Sequence, residues 1–225
     1  MLVRLIAHTI VVNNVPGYIP HEIPPTYVDD LGEQAGRLCY LSWNRPNPER
    51  QTNEDYLDHI LDVGHESITE HGSATFYIDG VTRALLLELE RHRHFSYSVV
   101  SQRYVDAARF KLIEHPELAK LSNQLKARIA SHEARSLKLY QDIVKELEEL
   151  GDSRKTARGA ARTILPEGTE TRILITGNLR AFRDMLWKRL SESADSEIRQ
   201  LARLLLAELK TIAPNTFQDF EDLAA

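Results

Sequence analysis

Cysteine occurs once in this chain, at Cys39, so no disulfide can close within it and no zinc site can be built from thiolates alone. A reducing, cytoplasmic setting is the matching expectation. Basic charge is not in excess: 28 lysines and arginines face 33 aspartates and glutamates, a net charge of -5, which argues against a surface built for general nucleic-acid binding. No apolar run approaches the roughly 20 residues that a bilayer requires, so no membrane association is expected. The opening MLVRLIAHTIVV is interrupted by Arg4 and His8 and is not followed by a small-residue cleavage pattern, so it reads as a strand rather than a signal peptide. No G-x-G-x-x-G, Walker loop or G-x-S-x-G is present, which disfavours the common nucleotide folds.

What is there alternates between two periods. Val3, Leu5 and Ala7 follow a strand period ahead of a loop holding Pro16, Pro20, Pro24 and Pro25. A helix is expected over about 28–41, and Thr52 with Asp55 forms a capping box for a second helix ending near Gly64. Ala74, Phe76 and Ile78 alternate as a strand, with Asp79-Gly80 as a turn, and VTRALLLELERHR reads as a buried helix. One long amphipathic helix should run from Pro116 to Gly151, followed by a short one near 155–163 and a strand at TRILIT. Asn178 and Ser193 are the expected caps of the last two helices. Few strands among long helices make the class α+β, and the length favours a single domain over 1–225.

The stretch RHRHFSYSVVSQRY, residues 91–104, gathers Arg91, His92, Arg93, His94 and Arg103 with Ser96, Ser98 and Ser101. Cations at a helix C-terminus complement its negative pole, and that explains one or two of them. It does not explain the loop beyond. Guanidinium groups crowded together repel one another unless an anion lies between them, and their forks match phosphate oxygens, so a phosphate-bearing ligand is the better explanation. His59, His65 and His71 recur every six residues, about 240° apart on a helix, whereas a metal-binding helix needs histidines at i and i+4; no metal is expected. Cys39, on an amphipathic helix, reads as a buried structural thiol rather than a nucleophile. Arg162 and Arg189 could each be ordinary surface arginines.

Arg91-His92-Arg93, seven residues, then Ser101 resembles the R-H-R-x7-S motif of the flavin-dependent thymidylate synthases, in its actinobacterial form. GRLCYLSWNRPNP, HILDVGHESITEH, ARTILPEGTETRILITGN and RLSESADSEIRQLA follow in the family's order, so the resemblance covers nearly the whole chain. It implies an α+β homotetramer whose active sites are shared between subunits, with FAD as cofactor. It also implies reductive methylation of deoxyuridine monophosphate to thymidylate, with methylenetetrahydrofolate donating the carbon and NADPH reducing the flavin. By resemblance Arg91, His92 and Arg93 contact FAD, with Ser73, Val99, Asn178 and Arg180. Glu88, Val99, Val100, Ser101, Gln102, Arg103 and Arg162 fall at nucleotide positions, together with Arg91. Arg189, Ser101 and His71 are implied to carry the chemistry: Arg189 stabilises negative charge on the pyrimidine, Ser101 binds and orients it, and His71 lies near flavin and folate.

Two positions depart from the family pattern: Val99 stands where a Glu or Gln is frequent, and Ser193 stands in place of the His of SEHA. Each removes a polar contact, and a lost hydrogen bond is typically worth about 0.5–1.5 kcal/mol. A relative that keeps ligand binding but has lost efficient catalysis is therefore a second possibility. A nucleic-acid-binding module built on 91–104 is a third. Asp184 would be an unusual acidic neighbour for the expected flavin.

Overall fold

The computed structural model describes residues 1–19, 28–43, 47 and 50–220. Pro20, Pro24 and Pro25 of the expected loop, and Asn44 to Pro46 and Pro48 of GRLCYLSWNRPNP, lie outside them. Strands β1 (Leu2–His8), β2 (Ser73–Thr82), β3 (Ser96–Val99) and β4 (Glu170–Asn178) form one sheet in the order β1-β2-β4-β3. Around them run α1 (Asp29–Tyr40), α2 (Asn53–Asp62), α3 (Arg83–Leu89), α4 (Asn123–Glu149), α5 (Arg154–Ala161), α6 (Leu179–Arg189) and α7 (Ser196–Ile212). The class is α+β, as expected. The chain's contacts fall into two compact units, one of residues 1–2, 78–91 and 98–174, the other of 3–77, 92–97 and 175–225.

In the first unit, Ala107, Phe110, Tyr140 and Ala161 form the core, with Val100, Leu137, Ile143 and Leu165 packed on it. The expected turn at Asp79-Gly80 is absent because β2 continues through it to Thr82. Gly80 takes a left-handed φ of +70°, and Asp79 accepts from its amide at 2.7 Å while pairing with Arg172 of β4 at 3.1 Å, so the dipeptide becomes a kink within a strand. α3 buries Leu85, Leu86 and Leu89 but leaves Leu87 exposed. The long helix expected from Pro116 is two elements: a short turn over Pro116–Lys120, then extended Leu121, then α4. Ser122 causes the break, since its Oγ accepts from Leu125 N at 3.3 Å and opens a new helix.

In the second unit, α7 buries Ile198, Leu201, Leu205, Leu209 and Ile212 as their spacing predicts. Its cap is Asp195, which accepts from Glu197 N at 2.8 Å, and not Ser193, whose hydroxyl bonds Ser191 at 2.9 Å in the preceding loop. Cys39 is exposed, not buried. The reason is that α1 is inverted: it buries Asp29, Gly32, Glu33, Gln34 and Gly36, while Leu38 and Tyr40 face out.

Polar residues can line that face because each carboxylate is met by donors. Asp29 accepts from Asn215 N at 2.8 Å, Thr216 N at 3.0 Å and Thr216 Oγ1. Glu33 accepts from Asn53 Nδ2 at 2.8 Å and Arg37 Nε at 2.6 Å, and Asn53 Oδ1 accepts from Asn215 Nδ2 at 2.8 Å. The network ties α1, α2 and the turn at Asn215–Phe220 together.

Asp29 is 1% exposed, and burial pushes its carboxyl up to about 6 despite the three donors, which pull it down. A folded-state value above the ordinary one means the native state binds the proton more tightly, so this group's contribution to stability grows as pH falls through about 6 toward 4. Chemical denaturation of wild type and Asp29→Asn across that range should show wild type gaining by roughly 1–3 kcal/mol relative to the variant as pH falls. A constant difference would contradict the account.

Candidate active site

In the second unit, the loop from His92 to Tyr97 is held between β4 and α6. Phe95 lies so close to Gly177 of β4 that a Cβ there would stand 2.3 Å from its ring. The same ring packs at a tilt against Phe182 of α6, with ring centroids 4.7 Å apart. Tyr97 donates its hydroxyl to the His92 carbonyl at 2.8 Å. His92, 9% exposed, then meets Arg189 at the last turn of α6: Arg189 Nε donates to His92 Nε2 at 2.9 Å. These two residues, 97 positions apart, are brought together as one pair.

Asn178, Arg180 and the turn bearing His71 and Ser73 lie at the start of α6. Asn178 caps the helix, accepting from Ala181 N at 2.8 Å. Leu179 N donates to the carbonyl of Gly72 at 2.9 Å, which seats the turn bearing His71 beside the helix N-terminus. Gly72 is required there, since a Cβ would stand 2.3 Å from Val28. His71 is exposed, and Ser73 shares hydrogen bonds with Thr9 at the β1 end. Arg180 is paired with Glu70 and lies 3.9 Å from Glu66. Arg93 is exposed and forms no ion pair among the described residues. Asp184 is also exposed and is engaged by Lys188 at 2.6 Å, a pairing one helical turn along α6.

In the first unit, β3 ends at half-buried Val99, and Val100 N donates to the Arg172 carbonyl of β4 at 3.0 Å. Ser101 opens a turn in which its carbonyl accepts from Tyr104 N and Val105 N and its Oγ from Arg103 N at 3.4 Å. α5 backs this turn: Arg158 donates to the Tyr104 carbonyl at 2.8 Å and to Asp106 at 3.0 Å. Arg103 passes along Gly159 of α5, with Cγ and Nε 3.8 Å from where a Cβ would be. Arg162, at the C-terminus of the same helix, is exposed. Arg91, Arg103 and Arg162 form no ion pair among the described residues. Glu88 is half-buried in α3, and its carbonyl accepts from Arg91 N at 3.3 Å.

Chemically, the turn offers an anion the guanidinium of Arg103 beside the Ser101 hydroxyl. Gln102 strengthens this, being 4% exposed with no hydrogen-bond partner for its Nε2 among the described residues. Sequence reasoning missed the supports, Phe95 with Gly177 and Arg158 with Tyr104, because each depends on a contact remote in sequence. Among the described residues no group of three or more His, Cys, Asp or Glu could hold a metal ion. No described helix is long and apolar enough to cross a membrane.

A buried, unmatched amide destabilises a fold by about 1–3 kcal/mol. Gln102→Met, which keeps the length and drops the donor, should therefore raise the ligand-free denaturation midpoint, by a stability gain of about 1 kcal/mol. A lowered midpoint would show that the amide is satisfied.

Comparison with known proteins covers both sets of residues. A family model described as "Thymidylate synthase complementing protein" matches residues 26–215. The chain is 46% identical over 226 residues to a "Probable flavin-dependent thymidylate synthase" of Mycobacterium phage D29, covering 97% of this chain and 96% of that one. It is 50% identical over 199 residues to the protein of the same description in Mycobacterium phage L5, covering 87% and 82%. To the "Flavin-dependent thymidylate synthase" of Mycobacterium sp. (strain KMS) it is 44% identical over 230 residues, covering 97% and 89%. With a family match spanning the expected site residues and relatives aligned along almost their full length, the chain belongs to the thymidylate synthase complementing protein family.

Proposed function

We propose that this protein is an FAD-dependent thymidylate synthase that methylates deoxyuridine monophosphate, using methylenetetrahydrofolate as carbon donor and NADPH as reductant. The observation that carries the reading is the arginine pattern. In a chain of net charge -5, exposed Arg91, Arg103 and Arg162 lie unpaired in the unit that holds the Ser101 turn and the unsatisfied Gln102 amide. That donor set suits a nucleotide phosphate and a pyrimidine edge. The names of the relatives supply the flavin and the product.

FAD fits residues of the second unit: exposed Arg93 offers a cationic donor and exposed His71 a ring N–H, both suited to pyrophosphate oxygens. When bound and reduced, FAD supplies the hydride. The chain's own residues supply binding and charge. Ser101, Gln102, Arg103 and Arg162 hold the nucleotide, and Ser101 orients it rather than attacking it, since its Oγ is engaged with Arg103 N and no base is seen beside it among the described residues. Arg189 stabilises negative charge that develops on the pyrimidine. This task replaces the usual addition of a thiolate, for which exposed Cys39 on α1 is a poor candidate. A donor aimed at developing charge is worth about 2.7–4 kcal/mol.

The reading further holds that residues 1–225 act as one domain in a homotetramer with shared active sites, in the cytoplasm. A shared site accounts for the exposure of His71, Arg91, Arg93, Arg103 and Arg162 in the single chain.

Protein supplied with FAD, NADPH, methylenetetrahydrofolate and deoxyuridine monophosphate should form thymidylate, and Arg189→Ala should lower kcat by about 100-fold or more. Light scattering should give four times the 25.7 kDa chain mass. Thymidylate formation that survives Arg189→Ala would overturn the role of Arg189. Nucleotide and flavin binding without turnover in the wild type would instead mark a relative that has lost catalysis.

A further inference from the structure

We propose that His92 is the positioning residue of Arg189, acting on the pyrimidine side of the reaction through that arginine rather than as a flavin contact alone. The inference rests on the reading of Arg189 as the group that stabilises charge on the nucleotide.

A guanidinium is always charged and only donates. The 2.9 Å bond from Arg189 Nε to His92 Nε2 therefore requires a lone pair on Nε2, which places the ring proton on Nδ1 and leaves the imidazole neutral. Engaging Nε fixes the plane of the guanidinium and with it the direction of its Nη fork. A bond to either Nη would leave that plane less constrained.

His92 can serve as a reference point because it is fixed three times over. The residue is 9% exposed, its carbonyl accepts from Tyr97 Oη at 2.8 Å and from Phe95 N at 3.3 Å, and its ring lies 6.4 Å from that of Phe95. Phe95 is in turn wedged against Gly177 and Phe182. Phe182 and Arg189 both belong to α6, so the His92–Tyr97 loop grips one helix at two points, seven residues apart. A shift of the helix along its axis would break both contacts. The loop thus sets where α6 presents its last arginine.

Three variants of the whole chain test this: His92→Gln, which keeps an acceptor; His92→Leu, which does not; and Tyr97→Phe, which removes only the hydroxyl donor to the carbonyl. Turnover with deoxyuridine monophosphate is measured alongside the nitrogen-15 resonance of Arg189 Nε–H in protein without added ligand, assigned by its loss in Arg189→Lys. The resonance should be protected from exchange in wild type and His92→Gln and lost in His92→Leu. In His92→Leu kcat should fall by tenfold to about 100-fold with little change in KM for the nucleotide, because misaligned charge stabilisation acts on the chemical step. His92→Gln should recover most of that loss. Should the leucine variant fail to fold, Tyr97→Phe should speed exchange of the same resonance and lower kcat without raising KM.

Wild-type kcat in His92→Leu, an equal fall in the glutamine and leucine variants, or an unaltered resonance and kcat in Tyr97→Phe overturns the proposal. A wild type that protects the resonance yet makes no thymidylate overturns the parent reading and leaves the pairing standing. Normal turnover with a freely exchanging resonance does the reverse.

Discussion

The hydrogen bond between Arg189 and His92 decides what much of the second unit is for. Arginine carries five donors and no acceptor, and one that is half-buried at a helix C-terminus is ordinarily drawn to a carboxylate. Here its Nε is met by an imidazole. This acceptor is neutral, so the bond itself leaves the guanidinium charge in place. The small residue at Gly177, the aromatic wedge of Phe95 and the Tyr97 hydroxyl all become intelligible as the means of keeping that imidazole still.

Other arginines of the chain show the contrast. Arg183, 2% exposed, makes a two-pronged pair with Asp219 at 2.7 and 2.8 Å and donates to the Thr216 carbonyl. Arg158 spans Asp106 and the Tyr104 carbonyl. Both are structural: their charge is neutralised and their geometry holds chain to chain. Arg91, Arg93, Arg103 and Arg162 have no such partner among the described residues and stand exposed. A buried, matched arginine stabilises the fold, whereas an exposed arginine without an acid partner keeps its donors available to an anion.

Much of this was legible in the sequence where the physics is local. The Thr52–Asp55 capping box, the Asn178 cap and the apolar face of α7 all follow from residues within a few positions of each other. Legibility failed where a distant partner reverses a local preference. α1 buries Asp29 and Glu33 because Thr216, Asn215 and Asn53 supply donors from 20 to 187 positions away, and Cys39 is carried outward as a result. Asp79-Gly80 continues a strand because Arg172 meets it across the sheet. For the site, the motif marks out arginines and Ser101 on one stretch, but the pairing of its histidine with Arg189 could be seen only once α6 was in place. Val99 is half-buried at the end of an edge strand.

Flavin and nucleotide binding are the central claim, and the visible absorption spectrum of the protein tests both together. On addition of FAD, after removal of unbound flavin, the protein should retain a flavin spectrum, and titration with deoxyuridine monophosphate should perturb it to saturation at one nucleotide per chain. A protein that retains no flavin, with or without the nucleotide, would contradict the account.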